Sequence, residues 1–224
     1  ISCVSSRRGK FITFEGLDGC GKSTQMEKLA AKLREHGLAI TVTREPGGTP
    51  IGERIRQILL DTKTSGLSIN AELALMFASR AQHVEEIILP ALAAGNIVLC
   101  DRFMDSSRVY QGVTGNLEPD FIETLQRIAI NGVMPDCTLI LDIPAKQGLE
   151  RVSKRNADGP DRFEKETLET HEKRREAYLD IAGDRGVGVL LDLVRSDLAT
   201  DFQRMPLLAA LAEFTAKGHG WAHR

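Results

Sequence analysis

Residues 14–25 read FEGLDGCGKSTQ, and within them Gly16-x-x-x-x-Gly21-Lys22-Ser23 has the spacing of a loop that wraps a phosphate chain. Such a loop needs glycines so that successive backbone N–H groups can turn onto an anion, and a helix behind it whose positive end adds to the attraction. Both flanks have that pattern. Upstream, KFITFE (10–15) alternates β-branched and aromatic residues and predicts a strand running into the loop. Downstream, Met26, Leu29, Ala30 and Leu33 share one helical face, and His36-Gly37 supplies a stop. A chance glycine-rich turn would lack this strand–loop–helix setting. Gly16, Leu17, Asp18, Gly19, Cys20, Gly21, Lys22, Ser23 and Thr24 are therefore candidate ATP-binding residues. Lys22 would reach the β/γ oxygens, and Ser23 would place its hydroxyl on Mg²⁺. Asp18 stands out as a carboxylate inside a loop built for anions.

The rest of the chain repeats the alternation. LAITVT (38–43), NIVLCDR (96–102), CTLILDI (137–143) and VGVLLDL (187–193) read as further strands, several of them apolar on both faces. Between them lie a short amphipathic helix marked by Ile51, Ile55, Ile58 and Leu59, and a long helical stretch over about 70–94 that Pro90 should bend or split. A helix over about 119–131 follows, then charged helices on either side of residues 156–160, and a last helix over about 197–217. Strands alternating with helices predict an α/β fold with a parallel sheet covered on both faces. The chain shows no repeat, linker or composition break, so one domain is expected over 10–217, with 1–9 and 218–224 as flexible ends.

The bulk properties narrow the function. A formal net charge of −2 over 224 residues gives no electrostatic case for nucleic acid or an anionic membrane as partner. No apolar run approaches a membrane span, and the four cysteines are dispersed, with no C-x-x-C pair and no zinc-like spacing. Buried thiols in a reducing cytoplasm are the expectation.

At the end of the 96–102 strand, Asp101 sits where α/β sheets present ligands, and can hold Mg²⁺ through water. Arg102 beside it can fork onto a phosphate that the glycine loop does not hold. A loop of this kind is shared by kinases, ATPases and transport motors, and the residues so far leave those alternatives open.

FEGLDGCGKST, TREPGGTPIGERIR (43–56) and DRFMDSSRVYQG (101–112) together resemble the bacterial thymidylate kinases, the type with a basic lid, within the P-loop nucleoside monophosphate kinase superfamily. The resemblance runs from about Phe11 to about Asp192. It implies a P-loop NTPase fold with a five-stranded parallel sheet, helices on both faces and a mobile lid. It also implies phosphorylation of dTMP to dTDP with MgATP in dTTP biosynthesis, and a cytoplasmic homodimer.

The resemblance also assigns roles. It puts Asp18 near the deoxyribose 3′-hydroxyl and the metal, and Arg44, Glu45 and Pro46 near the dTMP phosphate, with Arg102. Arg80 would lie on a thymine carbonyl, and Ser106, Tyr110 and Gln111 would line the base edge and the 2′ carbon. The family's aromatic four residues before the arginine is Met76 here, so either Phe77 or Met76 packs on the base. The interior of the glycine loop holds no base, and transfer needs positive charge. The lid over about 148–164 would supply it through Arg151, Arg155 and Arg162, with Glu164 as a further metal or sugar contact and Lys154 on a solvated face. The alternatives are a kinase with another acceptor, a regulatory or partitioning ATPase with none, and a non-catalytic nucleotide-binding module, against which the intact Lys22, Ser23, Asp101 and Arg102 argue.

Overall fold

The computed structural model describes residues 8–64, 66–155, 161–185 and 188–192, with backbone alone at 155, 184, 185 and 188–192. The predicted 197–217 helix, the 156–160 break, and residues 1–7 and 218–224 of the expected flexible ends lie outside the described residues; Gly9, counted with the N-terminal end, is buried and donates its N–H to Leu92 O at 2.8 Å.

The strand that leads into the glycine loop, β1 (Phe11–Gly16), is the middle strand of a five-stranded sheet. Its order is β2 (Ile40–Arg44), β3 (Ile97–Asp101), β1, β4 (Cys137–Asp142), β5 (Gly188–Asp192), and every pairing is parallel. Because side chains alternate across a strand, β1 feeds two cores. Ile12 and Phe14 pack with Leu99, Leu139 and Leu141 against Met26, Leu29 and Leu33 of α1 (Lys22–Glu35). Phe11 faces the other way, with Val98, Cys100, Phe103 and Met104, and meets the Phe103 ring edge-on at 5.0 Å between centroids. Each such buried large side chain stabilises the fold by roughly 1.5–3 kcal/mol, so both faces of the central strand are covered.

Around the sheet lie α2 (Pro50–Leu60), α3 (Ile69–His83), α4 (Leu89–Ala93), α5 (Met104–Ser107), α6 (Pro119–Ile130), α7 (Ala145–Arg155) and α8 (Leu168–Arg185). The stretch expected as one long helix over 70–94 is divided. Between α3 and α4, Val84–Ile88 form a π-helical turn closed by Leu89 N–H onto Val84 O. Pro90, in the first turn of α4, lacks an N–H and its ring crowds the carbonyl four residues back, which a one-residue widening of the helix relieves. A second π turn, Arg108–Val113, follows α5 and carries Tyr110 and Gln111 inward. In α2 only part of the apolar face is covered: Leu59 is buried, but Ile51 and Ile58 are exposed.

Cys20, Cys100 and Cys137 are buried free thiols. Among the described residues no helix is long and apolar enough to cross a membrane. In register, Arg44 of β2 and Phe14 of β1 both pair with Asp101 of β3, so the glycine loop, Arg44 and Asp101 share the carboxyl edge of the sheet, where open α/β sheets bind ligands.

Candidate active site

The loop between β1 and α1 is formed by left-handed glycines: Gly16, Gly19 and Gly21 have φ of 128°, 76° and 96°. Two are also hemmed in. A Cβ at Gly16 would come within 2.3 Å of Leu141 O, and one at Gly19 within 2.2 Å of Gly148 O in the first turn of α7. Lys22 Nζ folds over the loop, donating to Gly16 O at 3.1 Å and Leu17 O at 2.8 Å. The Cys20 side chain packs in the core beneath α1, where its Sγ also accepts from Lys22 Nζ at 3.8 Å, and Leu17 packs in a separate cluster with Val109, Tyr110 and Phe163.

Ser23 Oγ donates to Asp101 Oδ2 at 2.9 Å, which joins the helix start to the end of β3. Mg²⁺ is commonly held by one or two protein oxygens, with waters and substrate phosphates completing its octahedron. The Ser23–Asp101 pair fits that demand. Among the described residues there is no cluster of three or more His, Cys, Asp or Glu side chains that could cage a metal without substrate.

Arg102 carries most of the wiring. Its φ of 69° places a non-glycine residue in a strained backbone region, and its guanidinium is held on three sides. Nη2 donates to Asp18 Oδ1 at 2.7 Å and Tyr110 OH at 3.2 Å, while Nη1 donates to Ser106 Oγ at 3.1 Å and Tyr178 OH at 3.0 Å. Burial alone would raise the Asp18 carboxyl, but the Arg102 and Lys22 charges, with hydrogen bonds from Arg102 and Tyr110, hold it well below the usual carboxylate range. Behind this network Glu15, fully buried, accepts from Phe103 N–H at 2.8 Å, Ser106 Oγ at 2.7 Å and Tyr178 OH at 3.2 Å. Burial first, and then the charge of Asp105, push the Glu15 carboxyl up to about 7.

Two cavities meet at Arg102. The larger, about 460 Å³, is lined by Lys22, Ser23, Thr24, Arg44, Asp101, Arg151, Glu164 and others, a volume within the range of small-molecule sites. The second is a narrower cleft of about 80 Å³ between Met76, Arg80, Ser107, Tyr110, Gln111 and Phe163. Asp18, Glu45, Arg56, Arg102 and Asp161 line both. Arg56 Nη1 donates to Pro46 O at 3.0 Å. Burial, then the like charge of Arg44, push its guanidinium below its ordinary value. Arg56 and Arg102 thus stand where the cavities join, beside Asp18, Glu45 and Asp161, while Arg44, paired to Glu53 at 2.8 Å, lines the larger cavity; Arg44, Arg56 and Arg102 are the cations available there to an anion.

The narrow cleft is polar at its inner wall. Arg80, 2% exposed, donates from Nε to Glu45 Oε2 at 2.6 Å and from Nη2 to Phe103 O at 2.8 Å and Ser107 Oγ at 3.1 Å. Its Nη1 is buried and has no partner. Glu45 also accepts from His83 Nδ1 at 3.1 Å. Burial would raise the Glu45 carboxyl, but Arg80 and His83 lower it below its ordinary value. Gln111 donates from Nε2 to Glu72 Oε1 at 2.7 Å, and its Oε1 is likewise buried without a partner.

Two expectations are corrected by this geometry. Phe77 does not line the cleft: it packs with Leu73, Ile122 and Ala129, and the residue facing the cavity is Met76. Arg162 does not face the larger cavity. It donates from Nε to Leu59 O at 3.0 Å and from Nη2 to Glu72 Oε2, because the segment after residue 160 turns back against α2 and α3. Arg151 lines the larger cavity as expected, with Nη1 3.5 Å from Gly19 O, whereas the Arg155 side chain is outside the described set. Glu164 lines that cavity too and accepts from Asp161 N–H at 2.9 Å.

The family model described as "Thymidylate kinase" matches residues 14–193. The chain belongs to the thymidylate kinase family. It is 50% identical over 179 residues to the thymidylate kinase of Geobacter sulfurreducens, covering 78% of this chain and 84% of that protein. It is 48% identical over 178 residues to that of a Bradyrhizobium species, covering 79% of each. Crystallographically determined thymidylate kinase from Ehrlichia chaffeensis superposes with a TM-score of 0.72 at 31% identity, covering 91% of this chain and 99% of that one.

Sequence reasoning missed several residues of this thymidylate kinase site. Arg56 closes the TREPGGTPIGERIR stretch, and its place near the middle of α2 was a readable signal. Ser107 lay beside the chosen Ser106 and is the one that touches Arg80. Glu15, Glu72 and Tyr178 had no local signal, since their roles arise from partners 88 or more, 39 or more and 72 or more residues away.

Proposed function

We propose that this chain transfers the γ-phosphoryl group of MgATP in line to the phosphate of dTMP, giving dTDP for dTTP synthesis. The observation that carries the acceptor assignment is that two residues lining the narrow cleft each hold a buried polar atom without a partner: a donor, Arg80 Nη1, and an acceptor, Gln111 Oε1. Thymine offers their complement, the O4 carbonyl beside the N3–H. Cytosine offers the reverse. Buried polar groups are nearly always satisfied, and a base with the matching edge satisfies both.

On this reading the glycine loop and Lys22 hold the ATP phosphates, and Ser23 and Asp101 hold Mg²⁺, which neutralises phosphate charge. Asp18 faces the deoxyribose, with Tyr110 crowding its 2′ carbon. Arg44, Arg56 and Arg102 hold the acceptor phosphate, Met76 packs on the base, and Arg151 with Arg155 brings lid charge to the migrating group. No general base is needed, because the acceptor is already an anion at neutral pH. The whole operates as one kinase domain with a closing lid, in the cytoplasm, with neither nucleic acid nor membrane as partner.

The same reading includes a homodimer. Exposed Phe121 and Ile128 and half-buried Leu125 form a stripe at helical spacing along α6, a face suited to a second copy. Light scattering giving a monomeric mass would remove the dimer and leave the reaction standing.

The reaction is tested by coupling ADP release to NADH oxidation, with MgATP and each of dTMP, dUMP, dCMP, dGMP, UMP and thymidine, and Lys22→Ala as the blank. Turnover stimulated most by dTMP and lost in Lys22→Ala supports the kinase. Equal ADP release without any acceptor would instead make the protein an ATPase.

A further inference from the structure

Gln111 can read a base only if its amide is held one way round. A side-chain amide can present either oxygen or NH₂, and reversing it would invert what the cleft recognises. Glu72 prevents the reversal. Its Oε1 accepts from Gln111 Nε2 at 2.7 Å, and a carboxylate paired with an arginine can only accept, so the amide NH₂ faces Glu72 and the oxygen is the amide atom left without a protein partner on a residue that lines the cleft. Glu72 is fixed in turn: it is buried on the first turns of α3, and its Oε2 is held by Arg162 Nη2. Arg162 is anchored independently at Leu59 O and lies over the Phe163 ring, 4.4 Å from the centroid. Phe163 itself lines the cleft.

We propose that Glu72 is the residue that sets base selectivity, by holding the Gln111 amide in the orientation that accepts from an N3–H, with Arg162 locking Glu72 in place. Glu72 is a positioning residue and does not touch the base. This inference rests on the dTMP reading above and adds the origin of its discrimination against cytosine. It also gives Arg162 a role: the segment that follows the lid is tied to the base-reading side chain, not to the ATP phosphates.

The near-isosteric Glu72→Gln variant inverts the logic. Arg162 can only donate, so the new amide must turn its oxygen to Arg162 and offer NH₂ to Gln111. Gln111 then turns its own oxygen away from the cleft and presents NH₂ to the base. Thymine and uracil lose their partner, while cytosine N3, an acceptor, gains one. Arg80 Nη1 still opposes the cytosine amino group, so the gain for dCMP is smaller than the loss for dTMP.

The test is kcat/KM, with Kd by calorimetry, for dTMP, dUMP and dCMP on the wild-type chain, Glu72→Gln and Arg162→Lys. The dTMP-to-dCMP ratio should fall roughly 10- to 100-fold in Glu72→Gln, the range for leaving a buried polar group unpaired, mainly through KM and Kd. The dTMP-to-dUMP ratio should stay unchanged, since both bases carry the same O4 and N3–H edge. Arg162→Lys, which keeps the charge but not the two-point anchorage, should shift the first ratio several-fold in the same direction, and decides the matter if Glu72→Gln does not fold. An unchanged dTMP-to-dCMP ratio, or an equal loss for all three nucleotides, overturns the proposal. A wild-type chain that does not use dTMP would sink the kinase reading instead.

Discussion

Arg102 Nη2 donates to Asp18 Oδ1 at 2.7 Å, tying the end of β3 to the interior of the glycine loop. The pair explains why a loop for anions contains a carboxylate. Asp18 is the counter-charge of an arginine that would otherwise stand unneutralised where the two cavities join. Arg102 is meanwhile kept pointing along that junction by Ser106, Tyr110 and Tyr178.

Replacing Arg102 removes the partner of Asp18 and, on the proposed reading, the acceptor-phosphate contact. Arg102→Met should lower kcat/KM for dTMP by on the order of 10³, by analogy with other arginines that stabilise phosphoryl transfer. Arg102→Lys should recover little, because an ammonium cannot replace a fork that makes four hydrogen bonds in one plane. Steady-state kinetics with saturating MgATP reads both; a Lys variant within threefold of wild type would contradict the role.

Glu15 makes stability depend on pH in a defined direction. Its folded pKa of about 7 lies above the ordinary 4.5, so between those values the folded chain binds a proton that the unfolded chain has released. Stability from this group is present below about pH 4.5 and is lost as pH rises through 7, by roughly 3 kcal/mol in all. Glu15→Gln cannot titrate. The difference in Tm, wild type minus variant, should therefore fall by several degrees between pH 5 and pH 8. Parallel melting curves across that range would show that Glu15 keeps an ordinary pKa.

Met76 and Phe77 separate binding from folding. Met76→Ala opens the wall of the narrow cleft and, if the base packs there as proposed, should raise KM for dTMP about tenfold with little change in Tm. Phe77→Ala leaves a hole among Leu73, Ile122 and Ala129, and should cost about 3–5 kcal/mol of stability with KM within twofold. Thermal melts and kinetics on the two variants distinguish the roles, and the reverse pattern would restore Phe77 to the base.

Much of this was readable from the chain, for a physical reason. Strands such as CTLILDI advertise themselves because a parallel sheet buries both faces, and the glycine loop does so because only glycines accept its backbone. What escaped reading depends on partners brought from afar. Phe77 is set apart from Met76 only by which face of α3 meets α6. Arg162 looked like a lid arginine because its composition suits one, yet its destination is decided by Leu59 O and Glu72. The π turns after α3 and α5 shift every later residue around the helix axis, and a count of 3.6 residues per turn does not foresee them.

Arg151 tests the lid. Arg151→Ala should depress kcat by on the order of 10³ and leave KM for ATP within a few-fold, as expected for charge used only at the transition state. A change confined to KM would make it a simple ATP contact.

Gly19 and Gly148 approach so closely that neither tolerates a side chain: a Cβ at Gly148 would stand 2.7 Å from Asp18 O, and one at Gly19 would stand 2.2 Å from Gly148 O. The glycine loop and the root of α7 are therefore one solid piece. The lid proposed above would be rooted on α7 at this contact, so its closure is expected to start beyond residue 148. On that reading the grip on the donor phosphates would be insulated from the motion that encloses them.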